Sequence, residues 1–558
     1  MDLKKITDTF SVSPQISPDD AKALAAKGFR SIICNRPDAE GADQPSHEEI
    51  EAAAKAAGLE FRFLPVTPGM VTDETAEAFG KALAELPGPT LAFCRTGTRS
   101  ATLWSLSEAT RRPLPEILAA TKAAGYDMNG VARRIANGGK TPTDTAADAT
   151  YDVVIVGGGA AGIATASSLK ARKSDLDIAV IDPADIHYYQ PGWTMVGGGI
   201  FEADDTAKTM GSLIPKGVHW IKSAVAAFEP KDNAVVLDGC RVVKYSRLVV
   251  CPGLKLAWDK VEGLVETLGK NGVTSNYRYD LAPYTWELVQ GLKKGRAIFT
   301  QPPMPIKCAG APQKAMYLSA NAWERAGVLG DIKIDFMNAG GVLFGVKDYV
   351  PALMEYVERY KANLNFFHNL KSIDGATRTA TFTVAKPDEE PVEVTEEFHM
   401  IHVCPPQVAP DFIRVSPLAD AAGWVDVDQS TLRHKEFSNI WSLGDVMNAP
   451  NAKTAAAARV QAAIVAQNLA DDIDGRSPSV VYNGYGSCPL TVERGKIVLA
   501  EFGYGGALLP SFPKWVIDGT KPTRAAWLLK EKVLPPIYWK AMLRGREWMV
   551  HPEKVSAG

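Results

Sequence analysis

The sequence lacks long apolar runs, a surplus of charge of one sign, and an apolar segment near its N-terminus. No stretch of about 18 uninterrupted apolar residues occurs, so we expect no membrane-spanning helix. Lys4 and Lys5 precede no apolar segment, so we expect no cleaved secretory signal. The net charge is −3, from 61 Lys and Arg against 64 Asp and Glu, which gives no basic field for a nucleic-acid partner.

Cysteine is scarce, with seven in 558 residues and no paired spacing. This pattern excludes a secreted disulfide scaffold, and the chain has neither a C-x-x-C motif nor a dense His and Cys cluster. We therefore expect no metal site, and we expect any cysteine that matters to be catalytic. Four cysteines are interpreted as structural: Cys34, Cys240, Cys251 and Cys404.

The length exceeds that of a single compact core, and composition divides the chain. Short strands alternate with helices over 1–138, which predicts a small α/β domain with a mostly parallel sheet. Residues 139–150 are small and polar, as in a linker. A larger α/β region follows over 151–475, and a C-terminal region covers 476–558.

A dinucleotide-binding pattern follows the linker. Residues 153–162 read as a buried strand, a G-x-G-x-x-G loop and the start of a small-residue helix. The first glycine permits the tight turn, the second lets a pyrophosphate approach, and the third lets the helix pack on the strand. About 20 residues later an aspartate ends the next strand, placed for a ribose hydroxyl. The predicted binding residues are Gly157, Gly159, Ala160, Ala161, Gly162 and Asp182.

A second element indicates that the dinucleotide is FAD. The apolar strand 439–443 ends in Gly444-Asp445, and an Ala-rich helix follows. A late Gly-Asp of this kind is typical of flavoproteins of the disulfide-reductase type. Lys453, just before the helix, is interpreted as a cation near the flavin pyrimidine ring, with a solvated lysine at the helix start as the alternative.

A further Rossmann unit is predicted over about 271–430. Its loop, Asn-Ala-Gly-Gly-Val-Leu-Phe-Gly at 338–345, lacks the G-x-G-x-x-G spacing and carries Leu343 and Phe344 just before Gly345. Bulky side chains there oppose the close approach of a second pyrophosphate. We therefore expect a retained fold without a nicotinamide site, and an electron donor other than NAD(P)H.

Two cysteines lie in turns or loops of the larger region. Cys308 follows a predicted strand, 297–300, and Lys307 is its neighbour at the start of a helix. A helix N-terminus and a cation both lower a thiol pKa from its usual value of about 8.5. Cys488 lies in a second loop. Taken alone, either cysteine also reads as an inert core thiol.

These segments carry a resemblance to a known family. From Tyr151 onward the chain resembles the sulfide:quinone oxidoreductases of the mitochondrial type and their bacterial relatives. The resemblance implies a two-Rossmann flavoprotein of the disulfide-reductase type, with Gln190 in the FAD site and Cys308 and Cys488 as a redox-active pair beside the flavin. The motifs that carry it occupy 156–159, 187–191, 307–314, 421–428, 453–457 and 487–490.

The implied chemistry is oxidation of hydrogen sulfide. Hydrosulfide attacks a sulfur–sulfur bond by thiol–disulfide exchange. As a hypothesis, attack at Cys488 leaves a persulfide there and releases Cys308 as a thiolate. Two electrons then pass through FAD to ubiquinone or another membrane quinone, and glutathione, another thiol or sulfite takes the sulfane sulfur. The alternatives are a flavin NADH:quinone oxidoreductase and a non-enzymatic flavin redox partner or sensor.

The segment 515–548 is aromatic and basic. We expect two short amphipathic helices, broken at Pro535-Pro536, that lie in a bilayer interface. A dimer or domain contact is the alternative, and a homo-oligomer stays open. The expected location is peripheral, on the cytoplasmic face of a bacterial inner membrane.

In the N-terminal domain, residues 94–100 read Cys-Arg-Thr-Gly-Thr-Arg-Ser and join a strand to a helix. Backbone N–H groups of such a loop converge on the sulfur. Four residues separate Cys94 from Arg99, as in rhodanese-type sulfurtransferases, whereas tyrosine and dual-specificity phosphatases have five.

Residues 1–135 also resemble a bacterial family of phosphatase-fold domains, through 35–38 and Gln44-Pro45. We predict a small phosphatase-fold, rhodanese-like α/β domain in which Cys94 and Arg99 are catalytic and Cys94 accepts sulfane sulfur. A protein phosphatase and a docking domain remain alternatives.

Overall fold

The computed structural model describes residues 1–41, 44–67, 71–140, 149–237, 241–550 and 552–555. Most of the predicted linker, 139–150, and Cys240 lie outside the described residues. The chain forms two compact units: Met1–Asp152 with Ser223–Arg247 and Pro410–Val425, and Val153–Lys222 with Leu248–Ala409 and Asp426–Gly558. No helix within the described ranges combines the length and apolar character needed to cross a bilayer.

A five-stranded sheet in the order β1-β2-β5-β3-β4 organises the first unit. The strands are β1 (Lys4–Lys5), β2 (Phe10–Ser13), β3 (Ser31–Cys34), β4 (Glu60–Phe63) and β5 (Thr90–Phe93). The helices are α1 (Asp20–Ala26), α2 (His47–Ala56), α3 (Asp73–Glu85), α4 (Thr98–Ser107), α5 (Leu114–Ala123) and α6 (Ala132–Ala136). All neighbours except β1 and β2 are parallel, in agreement with the predicted α/β class.

Helices cover both faces of this sheet. Phe79 of α3 and Trp104 of α4 pack on one face, where the Trp104 ring stacks on Phe10 with 5.9 Å between centroids. Leu24 of α1 and Ile50 of α2 pack on the other. Burial on both faces explains why β2, β3 and β5 are apolar or small at nearly every position.

A nucleotide-type sheet follows along the chain. The next strands are β6 (Ala149–Val156), β7 (Ile178–Ile181), β8 (Ile186–Tyr188), β9 (Ala207–Thr209), β10 (Val218–Ile221), β11 (Val225–Glu229), β12 (Ala234–Leu237), β13 (Val242–Val250) and β14 (Lys255–Leu256). The helices are α7 (Ala160–Arg172), α8 (Trp193–Val196) and α9 (Leu264–Thr267). Strands β10, β7 and β6 are parallel neighbours, and β13 follows β6 in the sheet.

A second parallel sheet has the order β15-β22-β16-β17-β18. Its region contains β15 (Val273–Thr274), β16 (Gly295–Gln301), β17 (Ile332–Asn338), β18 (Asn363–Phe366), β19 (His368–Asp374), β20 (Thr379–Val384), β21 (Val392–Glu397), β22 (Met400–His402) and β23 (Gln407–Val408). The helices are α10 (Leu281–Gly291), α11 (Ala311–Arg325), α12 (Val350–Arg359) and α13 (Asp411–Arg414). This is the second Rossmann unit that the sequence predicts. Leu343 and Phe344 are buried in its core, so they fill the loop after β17.

The last elements complete the second unit. They are β24 (Ile440–Ser442), which pairs in parallel with β13, α14 (Ala455–Ile473), β25 (Val480–Val481), β26 (Gly486–Glu493), β27 (Lys496–Phe502), α15 (Arg524–Leu528), α16 (Leu534–Lys540) and β28 (Glu553–Lys554). Strands β26 and β27 form an antiparallel hairpin, and a π-helical stretch, Leu529–Val533, joins α15 to α16.

The C-terminal segment differs from its prediction in two ways. Pro535 and Pro536 do not break a helix but lie in the first turn of α16, where the missing N–H groups have no helical partner to lose. Trp527, Tyr538 and Trp539, which were predicted on a lipid-facing side, are buried within the unit. Trp527 packs with Met195 and Leu499, and Tyr538 and Trp539 contact His187. Trp515, Leu528 and Trp548, which were predicted on the same side, are exposed, as are Val516 and Val533.

Candidate active site

The loop between β6 and α7 forms one wall of a cavity in the second unit. Gly157, Gly159, Ala160 and Ala161 line this cavity. Gly162 lies behind them, where a Cβ atom would stand 1.8 Å from the carbonyl oxygen of Gly157. Only glycine therefore lets α7 approach the strand this closely. The N-terminus of α7 is held at the loop, an arrangement that binds phosphate groups.

Asp182 follows β7 and lines the same cavity. One of its carboxylate oxygens accepts a hydrogen bond from the Gly158 N–H at 2.6 Å, and the other accepts one from the Ala184 N–H at 2.8 Å. These bonds fix the carboxylate beside the glycine loop, where it fits a contact with ribose hydroxyls.

The other walls come from distant parts of the chain. Gln190, Gly444, Asp445 and Lys453 all line the cavity. The Lys453 ammonium donates hydrogen bonds to the carbonyl oxygens of Asp445 and Met447, each at 2.8 Å. Burial raises the pKa of the Asp445 carboxyl, although Lys453 opposes the rise. The charge of Lys453 is thus held at the cavity wall rather than in solvent.

Two sulfur atoms meet beside this cavity. Cys308 lies in the turn between β16 and α11. Cys488 was predicted in a loop but lies in strand β26, opposite Ala500 of β27. Their Sγ atoms are 3.4 Å apart. Cys308 lines the cavity, and Cys488 is 2% exposed behind it. The two cysteines that the family resemblance pairs are therefore adjacent, and Cys308 is the one that faces the cavity.

The backbone around the pair is shaped for this contact. Cys308 has a φ of +51°, which is uncommon for a residue with a side chain. Its N–H donates to the Lys453 carbonyl at 2.8 Å, which ties the turn to the cavity wall. A Cβ at Gly310 would stand 2.6 Å from the Cys488 sulfur and 2.3 Å from Leu490, so glycine is needed for β26 to come this close.

The surroundings separate the pKa values of the two thiols. The hydrogen bond with Cys488 and the charge of Lys314 hold the pKa of Cys308 well below its usual range, against the effect of burial. The Lys314 ammonium lies 3.0 Å from the Cys308 sulfur and 3.9 Å from that of Cys488. The same hydrogen bond, with burial, raises the pKa of Cys488. Of the two reduced thiols, Cys308 is therefore the one that loses its proton more readily.

Two buried lysines lie at this site. The sequence analysis gave no role to Lys314 and counted Lys530 only among the cations of the basic segment 515–548. Lys314 is 3% exposed on α11, and its neighbours on the helix face include Tyr317 and Leu318, both buried. Lys530 is also 3% exposed and lines the cavity, and its ammonium donates to the Pro191 carbonyl at 2.9 Å. Burial lowers the pKa of Lys530 to about 7. In both segments the sequence feature that could have revealed the buried lysine is a charged residue on an otherwise apolar helix face.

A buried histidine also lines the cavity, and the sequence analysis gave it no role. His187, which follows the start of β8, lines the cavity together with Tyr538 of α16. One ring nitrogen lies 3.1 Å from the Gly158 carbonyl oxygen and the other 2.6 Å from the Tyr538 hydroxyl. Burial lowers the pKa of His187 to about 4, so the ring is neutral near pH 7. The C-terminal segment thereby contacts the glycine loop directly.

The first unit carries a separate cysteine site. Cys94 is buried directly after β5, and the loop enters α4 through Gly97, which has a φ of +84°. The Thr96 carbonyl at the loop accepts a hydrogen bond from the Tyr126 hydroxyl at 3.3 Å. On the neighbouring strand β3, burial raises the pKa of Cys34 to about 12. Cys94 is thus at the strand-to-helix turn that the sequence predicts.

Arg99 is held by two groups of its own unit. One Nη donates to the Val66 carbonyl at 2.6 Å and the other to the Glu40 carboxylate at 2.7 Å. Arg36 donates to the same Glu40 oxygen at 2.7 Å. Burial acts to raise the pKa of Glu40, but the hydrogen bonds from the two arginines outweigh it and lower the pKa. Arg99 is therefore fixed beside the Cys94 loop.

The nucleotide-type sheet and its glycine cradle define a class of protein. A family model described as pyridine nucleotide-disulphide oxidoreductase matches residues 151–283. A solved structure, the sulfide:quinone oxidoreductase from Aquifex aeolicus, has a TM-score of 0.60, with 72% of this chain and 97% of that chain covered. At 19% sequence identity this likeness establishes the two-Rossmann fold alone.

Sequence identity gives the family. The mitochondrial sulfide:quinone oxidoreductase of Dictyostelium discoideum is 43% identical over 397 residues, which cover 71% of this chain and 86% of that relative. The chain belongs to the sulfide:quinone oxidoreductase family. Its cofactor is FAD, and the residues present fit that group: a glycine loop at a helix N-terminus, Asp182 beside it and Lys453 at the far wall.

The N-terminal domain has relatives of another kind. A family model described as beta-lactamase hydrolase-like protein, phosphatase-like domain, matches residues 2–111. The beta-lactamase hydrolase-like protein of Xylella fastidiosa is 36% identical over 130 residues, which are 23% of this chain and 30% of that relative. The domain is thus phosphatase-like in fold. This chain matches less than a third of the length of that relative.

Proposed function

We propose that the protein oxidises hydrogen sulfide at Cys308 and Cys488 and passes two electrons through FAD to a membrane quinone. The observation that carries this proposal is the 3.4 Å approach of the two sulfur atoms at the cavity wall, with Lys314 3.0 Å from one of them. An oxidised pair offers a sulfur–sulfur bond to a soft nucleophile, and a reduced pair offers a thiolate.

In the proposed cycle hydrosulfide attacks the Cys488 sulfur of the disulfide. The sulfur–sulfur bond breaks, Cys488 becomes a persulfide, and Cys308 leaves as a thiolate that Lys314 stabilises. A thiol such as glutathione, or sulfite, then takes the outer sulfur atom and leaves Cys488 as a thiol. Loss of two electrons and the remaining proton from the pair re-forms the bond. FAD, when bound, supplies the two-electron acceptor for this step and the donor for the quinone.

The second Rossmann loop argues against NADH as the donor. Leu343 and Phe344 occupy its interior, and Phe344 packs edge-on against Tyr349 and Phe502 with centroids 6.2 and 5.9 Å apart. A pyrophosphate needs close approach to such a loop, which these side chains oppose.

The test is an anaerobic titration of the flavin-loaded protein. We expect sulfide to bleach the flavin absorbance and a decyl-type quinone to restore it, whereas NADH leaves it unchanged. Bleaching by NADH but not by sulfide would instead identify a flavin NADH:quinone oxidoreductase. Bleaching by sulfide without turnover of the quinone would leave only a redox partner or sensor.

We also propose peripheral association with a membrane, on the cytoplasmic face of a bacterial inner membrane. Supporting this are the exposed side chains of the C-terminal segment, with Trp515 at 87%, Leu528 at 55% and Trp548 at 58%. Exposed aromatic and aliphatic residues among lysines and arginines suit a bilayer interface, where the quinone is dissolved. Cosedimentation of the protein with lipid vesicles tests this point.

For the N-terminal domain we propose sulfur transfer through Cys94. A Cys94 thiolate attacks the outer sulfur of a persulfide, forms Cys94 persulfide and releases the donor thiolate. The four-residue spacing between Cys94 and Arg99 supports this, because rhodanese-type sulfurtransferases share that spacing.

Phosphate-ester hydrolysis is the second candidate, and the phosphatase-like family match favours it. The two are separated by assaying thiosulfate and glutathione persulfide as sulfur donors against an aryl phosphate. Sulfur transfer that Cys94→Ser abolishes supports the proposal, and rapid Cys94-dependent hydrolysis of the aryl phosphate contradicts it.

A further inference from the structure

A basic recess lies beside the C-terminal segment, outside the cavity described above. Lys208, Lys540, Arg544 and Arg546 surround it, with Trp539 at its wall. Three of these cations come from one short stretch that ends α16 and follows it, and Lys208 comes from β9. We call these five residues the basic recess.

The recess is built by side-chain contacts rather than by chance exposure. The Lys208 ammonium lies 4.6 Å from the centroid of the Trp539 ring, a cation–π distance. An Nη of Arg544 donates to the Ser212 carbonyl at 2.9 Å. Trp539 itself is 8% exposed and in turn contacts His187, with ring centroids 5.8 Å apart. The positions of Lys208 and Arg544 are therefore set by the fold.

Within the described ranges, no carboxylate compensates the charges in the recess. Across the described part of the sequence, no ion pair with a carboxylate involves Lys208, Lys540, Arg544 or Arg546. The nearby Glu547 pairs with Arg172 instead, at 2.6 Å. Four like charges around one concavity repel one another, so the recess is complementary to an anion.

Exposed apolar side chains that lie close to these cations in the sequence indicate which anion. Leu528, Val533 and Trp548, on either side of the recess in sequence, are 55%, 43% and 58% exposed. Apolar side chains that flank cations suit the boundary between lipid headgroups and acyl chains. A free phosphate ester would gain nothing from them.

We propose that the basic recess binds the phosphate of an anionic phospholipid headgroup. This inference rests on the proposed membrane association and gives it a lipid preference. Each cation near an anionic surface contributes about 1 kcal/mol, which is roughly a fivefold effect on partitioning.

The test uses the full-length, flavin-loaded protein and two kinds of vesicle, phosphatidylcholine alone and phosphatidylcholine with phosphatidylglycerol. We expect the protein to partition more strongly onto the anionic vesicles. The double variant Arg544→Gln/Arg546→Gln should lose that preference by about 25-fold, since two cations are removed. Its partitioning onto neutral vesicles should not change. Lys293→Gln/Lys294→Gln, which removes the same charge from an exposed position just after α10, is the matched control and should retain the preference.

Other outcomes overturn the proposal. Equal binding to both vesicles, or equal losses in the two double variants, would mean that the recess has no special affinity, while membrane association itself stands. Absence of binding to either vesicle would overturn membrane association as well. Release from anionic vesicles by inorganic phosphate, but not by chloride of the same ionic strength, would assign the recess to a free phosphate ester. Sulfide oxidation with a water-soluble quinone reports on the proposed chemistry independently of all these outcomes.

Discussion

Cys94 and Cys308 occupy similar turns and have different neighbours. Each follows a strand of a parallel sheet and precedes a helix, α4 in one case and α11 in the other. Cys308 has a second sulfur at 3.4 Å and an ammonium at 3.0 Å. The thiol near Cys94, that of Cys34, does not play the part of Cys488: it donates a hydrogen bond to the Arg36 carbonyl at 3.4 Å. Burial raises the pKa of Cys34 to about 12.

The difference indicates what each site is able to do. A sulfur pair stores two electrons in one bond, so it suits oxidation of a sulfur nucleophile. A single cysteine in a loop of convergent N–H groups suits the transfer of a group that arrives already oxidised. Both cysteines therefore lie in a strand-to-helix turn, and the proposal of redox chemistry at Cys308 rests on the second sulfur and the buried lysine beside it.

The largest expected effect comes from Cys308→Ser, which removes half of the pair. Without it no disulfide forms, and we expect sulfide-dependent bleaching of the flavin to fall on the order of a thousandfold or more, as when an enzyme loses its nucleophile. Stopped-flow absorbance under anaerobic conditions measures it. Cys34→Ser, a change at a buried thiol of the other unit, serves as the control and should leave the rate near that of the parent. If the Cys308→Ser protein still reduced quinone with sulfide, the sulfur pair would not be the site of sulfide oxidation, and the contrast between Cys308 and Cys94 would fail.

Cys94→Ser should have the opposite pattern. We expect transfer of sulfur from thiosulfate or a persulfide to be lost, because the nucleophile is absent, while sulfide-dependent quinone reduction continues. Both rates are measured on the same preparation, so each serves as the control for the other. If quinone reduction fell in parallel with transfer, the two cysteines would not be separate sites.

Much of this arrangement could be predicted from local sequence, and the rest could not. The glycine loop at 157–162 and Asp182 follow from strand, loop and helix in one continuous segment, and residues 157–161 line one cavity with Asp182. Cys308 and Cys488 are 180 residues apart, and their contact depends on β26 packing beside the turn, so only the family resemblance paired them. Fold class, FAD and family were predicted correctly.

The C-terminal segment illustrates the limit. Its amphipathic character was clear from the sequence, but the sequence did not show which apolar residues face the protein interior and which are exposed. Tyr538 and Trp539 are buried because they contact His187 beside the glycine loop, a contact that no local pattern encodes. Lys314 and Lys530 escaped assignment because a lysine in a helix is usually solvated, and here burial is imposed by distant elements.

Lys314→Met tests the electrostatic part of the comparison. The ammonium lowers the pKa of Cys308, so its removal should raise that pKa and move the half-point of thiolate formation upward by about 1–2 pH units, within the range that a nearby opposite charge produces. The pH dependence of alkylation of the reduced protein by iodoacetamide, followed at the Cys308 peptide, gives the half-point. Lys293→Met, a change at an exposed lysine, should leave it in place. An unmoved half-point in Lys314→Met would mean that Cys308 owes its low pKa to the thiol neighbour alone.

The smallest expected effect is that of Gly310→Ala, which disturbs the contact between the sulfurs without removing either. The new methyl group would meet the Cys488 sulfur at 2.6 Å and Leu490 at 2.3 Å, so β26 must move away from the turn. Overpacking of this kind costs about 1–3 kcal/mol of stability. We expect a loss of that size in the free energy of unfolding, measured by urea denaturation, together with slower bleaching by sulfide. Gly330→Ala, where a methyl group meets nothing within 4 Å, is the control. If Gly310→Ala lost stability but bleached at the parent rate, the close approach of the two sulfurs would matter for folding and not for the reaction.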